Sequence, residues 1–247
     1  MNEPLIRAVD LTIGWGDTIL QRDATFEIEK GDIFIILGGS GCGKSTMMRY
    51  LVGLETPMSG KVLYPGGREA KLARGAPEFG VMFQSGALLG SLTVGENVAL
   101  PLESWTPLPS EAIEAIVEAK LRLVGLHGTE GKMPSELSGG MKKRAAIARA
   151  MALEPELIFL DEPSAGLDPV TAAELDDLIL SLNDRIGMTV VMVTHDLDSI
   201  FKVGKRCIML DRKSQSIIAR GDPRELRDTS DDPRVRSFFN REPMSAK

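Results

Sequence analysis

Eight consecutive residues, Gly38-Gly39-Ser40-Gly41-Cys42-Gly43-Lys44-Ser45, combine backbone freedom, one cation and one hydroxyl at the spacing G-x-x-x-x-G-K-[ST]. Such a run can wrap phosphate oxygens. The glycines let successive N–H groups turn toward one anion, and a helix opening near Lys44 aims its positive dipole end at the same oxygens. Lys44 supplies a point charge and Ser45 a hydroxyl suited to Mg²⁺ in a nucleotide complex, and Thr46 counts with the cradle. Cys42 reads as a small residue filling an unconstrained position of the loop. A second group follows downstream, where the apolar run Leu157-Ile158-Phe159-Leu160 ends in Asp161 and Glu162. Asp161 is placed to hold Mg²⁺ through water, and Glu162 to polarise an attacking water. Two acids at a strand end are by themselves an ordinary solvated terminus. It is their pairing with the phosphate loop that points to phosphoryl transfer from a nucleotide.

These groups need a sheet to hold them. Apolar runs at Ile33–Leu37, Val81–Phe83, Leu157–Leu160, Val190–Val193 and Ile208–Leu210 alternate with stretches of helical periodicity, the pattern of an α/β sheet. Ala24–Glu29 alternates polar and apolar residues, with Phe26 and Ile28 on one face, and predicts a half-exposed antiparallel layer. Ile113, Ile116, Val117, Leu121 and Val124 form the stripe of one helix, with Ser110 as its predicted cap and Gly125 as its end. A second helix is predicted from Asp168-Pro169, with its stripe at Leu175, Leu178, Ile179 and Leu182. Between about 87 and 154 no strand signal occurs, so that stretch reads as a helical subdomain.

The 247 residues carry 29 basic and 35 acidic side chains, a net charge of −6, which argues against a nucleic-acid binder working by bulk electrostatics. Two cysteines, Cys42 and Cys207, make no disulfide framework and suit a reducing compartment. The opening MNEPLIRAVD lacks the apolar run of a secretory signal, and no apolar stretch approaches the ~20 residues of a membrane span. A membrane role would have to come through a partner.

Leu137-Ser138-Gly139-Gly140-Met141 narrows the class further. With it the chain resembles the ABC (ATP-binding cassette) ATPases over nearly its whole length, departing only in Met141 where Gln is usual. The resemblance implies an α/β P-loop NTPase fold: a RecA-like core sheet, an N-terminal antiparallel β layer and the inserted helical subdomain, within a cassette of residues 1–221 followed by an extension at 222–247. It implies ATP and Mg²⁺ as cofactors, and a homodimer in which Ser138, Gly139 and Gly140 meet the γ-phosphate held by the opposite subunit. By the same resemblance Gln84 touches Mg²⁺ and the attacking water and senses the membrane partner. His195 contacts the γ-phosphate, and Asp168 lies on the loop that crosses the dimer interface while also capping its helix. Trp15 stands where an aromatic ring stacks on adenine, with core or surface packing as its other reading.

Two further stretches, Phe83-Gln84-Ser85-Gly86-Ala87-Leu88-Leu89 with Asn97–Leu102, and Met133-Pro134-Ser135-Glu136, resemble the ATPase subunit of MCE-type lipid transporters, including the Mla phospholipid system. The closing Asp232–Phe239 is similar too. That resemblance implies multispanning permease subunits, an MCE-domain substrate protein and a small STAS-domain protein as partners, no nucleic acid, and a peripheral place on the cytoplasmic face of the inner membrane. Leu88 and Leu89 would then receive a permease helix, or else pack in the core. The ATPase of a polar amino-acid or ion importer, which shares the core motifs, is the competing reading. Val235, Phe238 and Phe239 predict an apolar face on the extension that serves a protein contact, the other reading being a helix packed on its own domain.

Overall fold

The computed structural model describes residues 3–70 and 77–241. The chain divides into two compact units, one of residues 1–72 with 191–247 and the other of residues 73–190.

The first unit opens on β1 (Ile6–Trp15) and β2 (Thr18–Ile28), joined antiparallel by a tight turn at Gly16, whose φ of +51° favours glycine. β4 (Ser59–Tyr64) and β5 (Arg68–Glu69) complete this sheet in the order β2-β1-β4-β5. The predicted alternation is present: Ala24, Phe26 and Ile28 are buried, while Glu27 reaches out to Arg7 at 2.7 Å. Phe26 stacks on Phe34 with ring centroids 5.7 Å apart, which fastens the antiparallel layer to β3 (Ile33–Gly38). β3 is buried along its whole length, as a strand covered on both faces must be. It runs parallel to β9 (Arg206–Asp211), which pairs antiparallel with β10 (Ser216–Gly221), so the sheet is mixed. α1 (Lys44–Leu51) follows β3, and its Tyr50 hydroxyl donates to Gly14 O at 2.8 Å.

Three short helices close this unit: α6 (Leu197–Val203), α7 (Pro223–Thr229) and α8 (Pro233–Phe239), capped by Asp196, Asp222 and Asp232. α8 corrects the expectation of a free apolar face. Val235 and Phe239 are buried, with Phe239 against Phe201 of α6 at 5.5 Å between centroids. Arg234 pairs with Asp211 Oδ2 at 3.0 Å, and Arg224 of α7 donates to Phe201 O and to Gly204 O at the end of α6. The extension therefore packs on its own unit as far as Arg241, and residues 242–247 lie outside the described residues. Phe239→Ala is expected to lower stability by ~3–5 kcal/mol, read by urea unfolding, because a buried ring leaves a cavity. A loss below ~1 kcal/mol would show the ring to be a surface group after all.

In the second unit β6 (Phe79–Met82) pairs parallel with β7 (Leu157–Asp161), and Phe79 meets Phe159 edge-on at 5.4 Å. Among the described residues no strand lies between Met82 and Leu157. That stretch holds α2 (Val94–Trp105), α3 (Ser110–Leu123) and α4 (Gly139–Ala150). Thr93 and Glu96 form a capping box at α2. On α3 the buried stripe is Ile113, Val117 and Leu121, and Gly125 at φ +73° follows the end of the helix, as predicted. Its start differs: Pro109 is the cap position and Ser110 the first helical residue, with no side-chain cap bond. Proline's fixed φ pre-sets that turn without a hydroxyl. α5 (Pro169–Ile186) starts as expected, Asp168 Oδ1 accepting from the amides of Val170 and Thr171. β8 (Thr189–Val193), fully buried, spans the division between the units. No described helix is long and apolar enough to cross a membrane.

Candidate functional site

In the first unit the phosphate loop leaves β3 at Gly38 and enters α1 at Lys44. Its glycines are demanded by the backbone. Gly38 has φ +141°, and a Cβ there would lie 2.3 Å from Leu210 O and 2.8 Å from Cys42 Sγ. Gly43, the cap position of α1, has φ +98°. A loop stripped of side chains at these points is a concave cradle, and the first amides of α1 have no acceptor within the helix ladder. Lys44 folds back over it, donating Nζ to Gly38 O at 2.9 Å and Gly39 O at 3.2 Å. Gly39, Ser40 and Gly41 are exposed, and Ser45 and Thr46 half-buried. Cys42 is buried and contributes backbone only: burial pushes its thiol pKa up, with the Lys44 charge opposing less strongly. His195 is exposed just after β8. Trp15 is 45% exposed at the end of β1, which discards core packing.

In the second unit Asp161 ends β7 and Glu162 follows it, both buried. Glu162 sits at φ +48°, a conformation that a non-glycine residue holds only when its surroundings impose it. Gln84 is exposed two residues beyond β6. The signature opens α4: Ser138 is the cap, its hydroxyl accepting from Met141 N at 3.3 Å. A Cβ on Gly140 would lie 2.4 Å from Thr171 Cγ2, so that glycine admits the start of α5 against the start of α4. Ser138 and Gly139 remain exposed. Asp168 accepts from Thr171 Oγ1 at 2.6 Å, and that bond with the Thr171 amide holds its carboxyl below the usual range. Its capping role is thus visible in the structure.

Sequence reasoning passed over several residues that hold these parts in place. Gln21 on β2 is fully buried and donates Nε2 to Cys42 O at 2.9 Å and Asp211 O at 3.1 Å, pinning the phosphate loop from below. Asn97, also buried, bonds Leu89 N and O and the carbonyls of Leu92 and Thr93, fixing the segment that follows Gln84. Lys143 and Arg149 of α4 donate to carbonyls of Gln84, Glu162, Gly86 and Ala87. A Gln in an alternating strand or a Lys in a helix carries no local mark of such a task. Among the described residues no cluster of His, Cys, Asp or Glu forms a ready-made metal cage. In the first unit the hydroxyl of Ser45 stands beside the glycine cradle, and in the second the carboxylate of Asp161 ends β7; each is an oxygen donor of the kind a hard cation takes.

Residues 21–165 match the ABC transporter family, and the chain belongs to it. It is an ATP-binding cassette, an ATPase whose hydrolysis is coupled to transport. Its relatives sharpen the picture. The intermembrane phospholipid transport ATP-binding protein MlaF of Haemophilus influenzae is 37% identical over 98% of this chain and 92% of its own length. MlaF of Escherichia coli is 38% identical over 96% of this chain and 88% of its own. A ribonucleotide transport ATP-binding protein, mkl, of Mycobacterium leprae is 41% identical over 95% of this chain, which spans 68% of that longer protein. Other mycobacterial mkl proteins are spanned for 65% of their length. Among solved structures, the dimeric cassette MJ0796 in a post-hydrolysis state with ADP and Pi aligns with TM-score 0.76 at 29% identity, over 88% of this chain and 98% of that one. A nucleotide-free ATP-binding cassette from an ABC transporter aligns with TM-score 0.82 at 25% identity, over 96% and 99%. The expected fold class is thereby established.

Proposed function

We propose that this chain is the motor subunit of an MCE-type transporter that moves phospholipid or a related lipid between membranes of the envelope. The observation that carries this reading is the near end-to-end similarity to MlaF, 98% of one chain and 92% of the other, with the C-terminal extension included. The chemistry is distributed as the residues suggest. Lys44 and the amides of the cradle neutralise phosphate charge, Ser45 and Asp161 hold Mg²⁺, and Gln84 orients water with it. Mg²⁺, when bound, offsets the charge that develops on the transferred phosphoryl group. Glu162 accepts the hydrogen bond of the attacking water, and His195 contacts the γ-phosphate. Ser138, Gly139 and Gly140 belong to the nucleotide held by a second copy, and Trp15 supplies the face for adenine. Asp168 lies at the same dimer interface.

The subunit works as a homodimer under multispanning permease subunits, with an MCE-domain protein and a small STAS-domain protein as further partners, on the cytoplasmic face of the inner membrane. A groove of about 320 Å³ lined by Phe79, Val81, Leu100, Pro101, Trp105 and Arg149 supports docking of a permease helix on this unit. Reconstituted with its permease, the chain is expected to move labelled phospholipid between vesicles and an acceptor only when Lys44 and Glu162 are intact. A complex that carries no lipid and whose ATPase responds instead to an amino acid and its binding protein would replace this reading with the importer.

A further inference from the structure

Lys143 is a buried cation in the second unit, and its surroundings are unusual for a helix-interior lysine. Its Nζ donates to Gln84 O, and to Glu162 O at 3.3 Å. Burial lowers its pKa, while the nearby charges of Asp161 and Glu162 act in the opposite sense. An ammonium has three donors and no acceptor, so it can serve two carbonyl oxygens at once while its charge is offset by the carboxylates nearby. Each bond constrains something the chemistry uses. The bond to Glu162 O acts on the residue held at φ +48°. The bond to Gln84 O anchors the start of the segment whose far end Arg149 ties through Gly86 O at 2.9 Å and Ala87 O at 2.7 Å. Both cations stand on α4, the helix that the signature opens.

We propose that Lys143 is a positioning residue: it fixes the peptides of Gln84 and Glu162 against the signature helix, and so sets how fast the bound nucleotide is hydrolysed without setting how tightly it binds. This rests on the roles given above to Gln84 and Glu162. The side chain touches neither nucleotide nor water in this scheme. It acts by holding two carbonyl oxygens, and with them the loop that faces the permease and the residue that faces the water, in one arrangement.

The test uses the full chain in its permease complex under MgATP. Lys143→Met keeps the aliphatic stem and removes the donors; kcat is expected to fall ~30-fold while the KM for ATP stays within about two-fold. Lys143→Arg, which keeps charge and donors, should recover to within ~3-fold of the parent. Because Lys143 acts partly through Gln84 and partly through Glu162, Lys143→Met combined with Gln84→Ala should lose more than the worse single variant but clearly less than the product of the two losses. A kcat within two-fold of the parent in the Met variant, a KM that rises as kcat falls, or multiplicative losses would each overturn the proposal. Should the Met chain fail to fold by circular dichroism, the Arg variant decides, and a loss of more than ~10-fold there also overturns it. Glu162→Gln run alongside separates the two levels. If that variant is inactive while Lys143→Met is normal, positioning fails alone, whereas full activity in Glu162→Gln removes the underlying role of Glu162.

Discussion

Glu162→Gln is expected to bind MgATP as the parent does and to lose turnover by ~10²–10⁴-fold, the range that a positioned general base contributes. The side-chain volume is nearly unchanged, and the phosphate loop with its Lys44 bonds to Gly38 O and Gly39 O lies in the other unit. What is lost is the carboxylate proposed to polarise water. Because the bound nucleotide then persists, two chains should remain associated, and size-exclusion chromatography should show a dimer with MgATP and a monomer without it. Hydrolysis at the parent rate in this variant would end the assignment of Glu162 as base. The expected pattern is a loss in kcat with nucleotide affinity retained, as for an interaction made only in the transition state.

The second large effect is a rescue. Lys44→Ala and Ser138→Arg are each expected to abolish hydrolysis alone, since in a symmetric dimer either lesion spoils both sites. Mixed in one complex, the two chains should regain activity. If each site joins Lys44 of one chain to Ser138 of the other, a mixed dimer gathers both lesions into one site and leaves the other whole. Random mixing makes half the dimers mixed with one of two sites intact, so recovery up to about a quarter of the parent rate is expected. Ser138 and Gly139 are exposed at the start of α4, and among the described residues the Ser138 hydroxyl accepts from the Met141 amide, which leaves both positions open to a second chain. Activity at background in the mixture would place both motifs in one chain's site.

The motifs of the proposed site were legible in the sequence because each is local. The phosphate loop, the acid pair at the end of an apolar strand and the signature ahead of a helix each occupy a few consecutive residues. Their chemistry depends on backbone conformations that glycine or a strand end supplies without help from elsewhere. The strands at 33–38, 157–161 and 189–193 announced themselves in the same way, by continuous apolar runs.

The sequence by itself determined the class of chemistry and the motifs proposed to perform it. Only the tertiary structure decided what holds them. Gln21 reaches the phosphate loop across 21 residues of chain and Asp211 across 190, Lys143 joins Gln84 to Glu162, and Asn97 pins the loop beyond Gln84. It also decided that Val235 and Phe239 are core and not a docking face: both are buried, and the ring against Phe239, Phe201, lies on a different helix. A buried polar group finds its partner by where chains meet in space, and distance along the sequence carries no trace of that meeting.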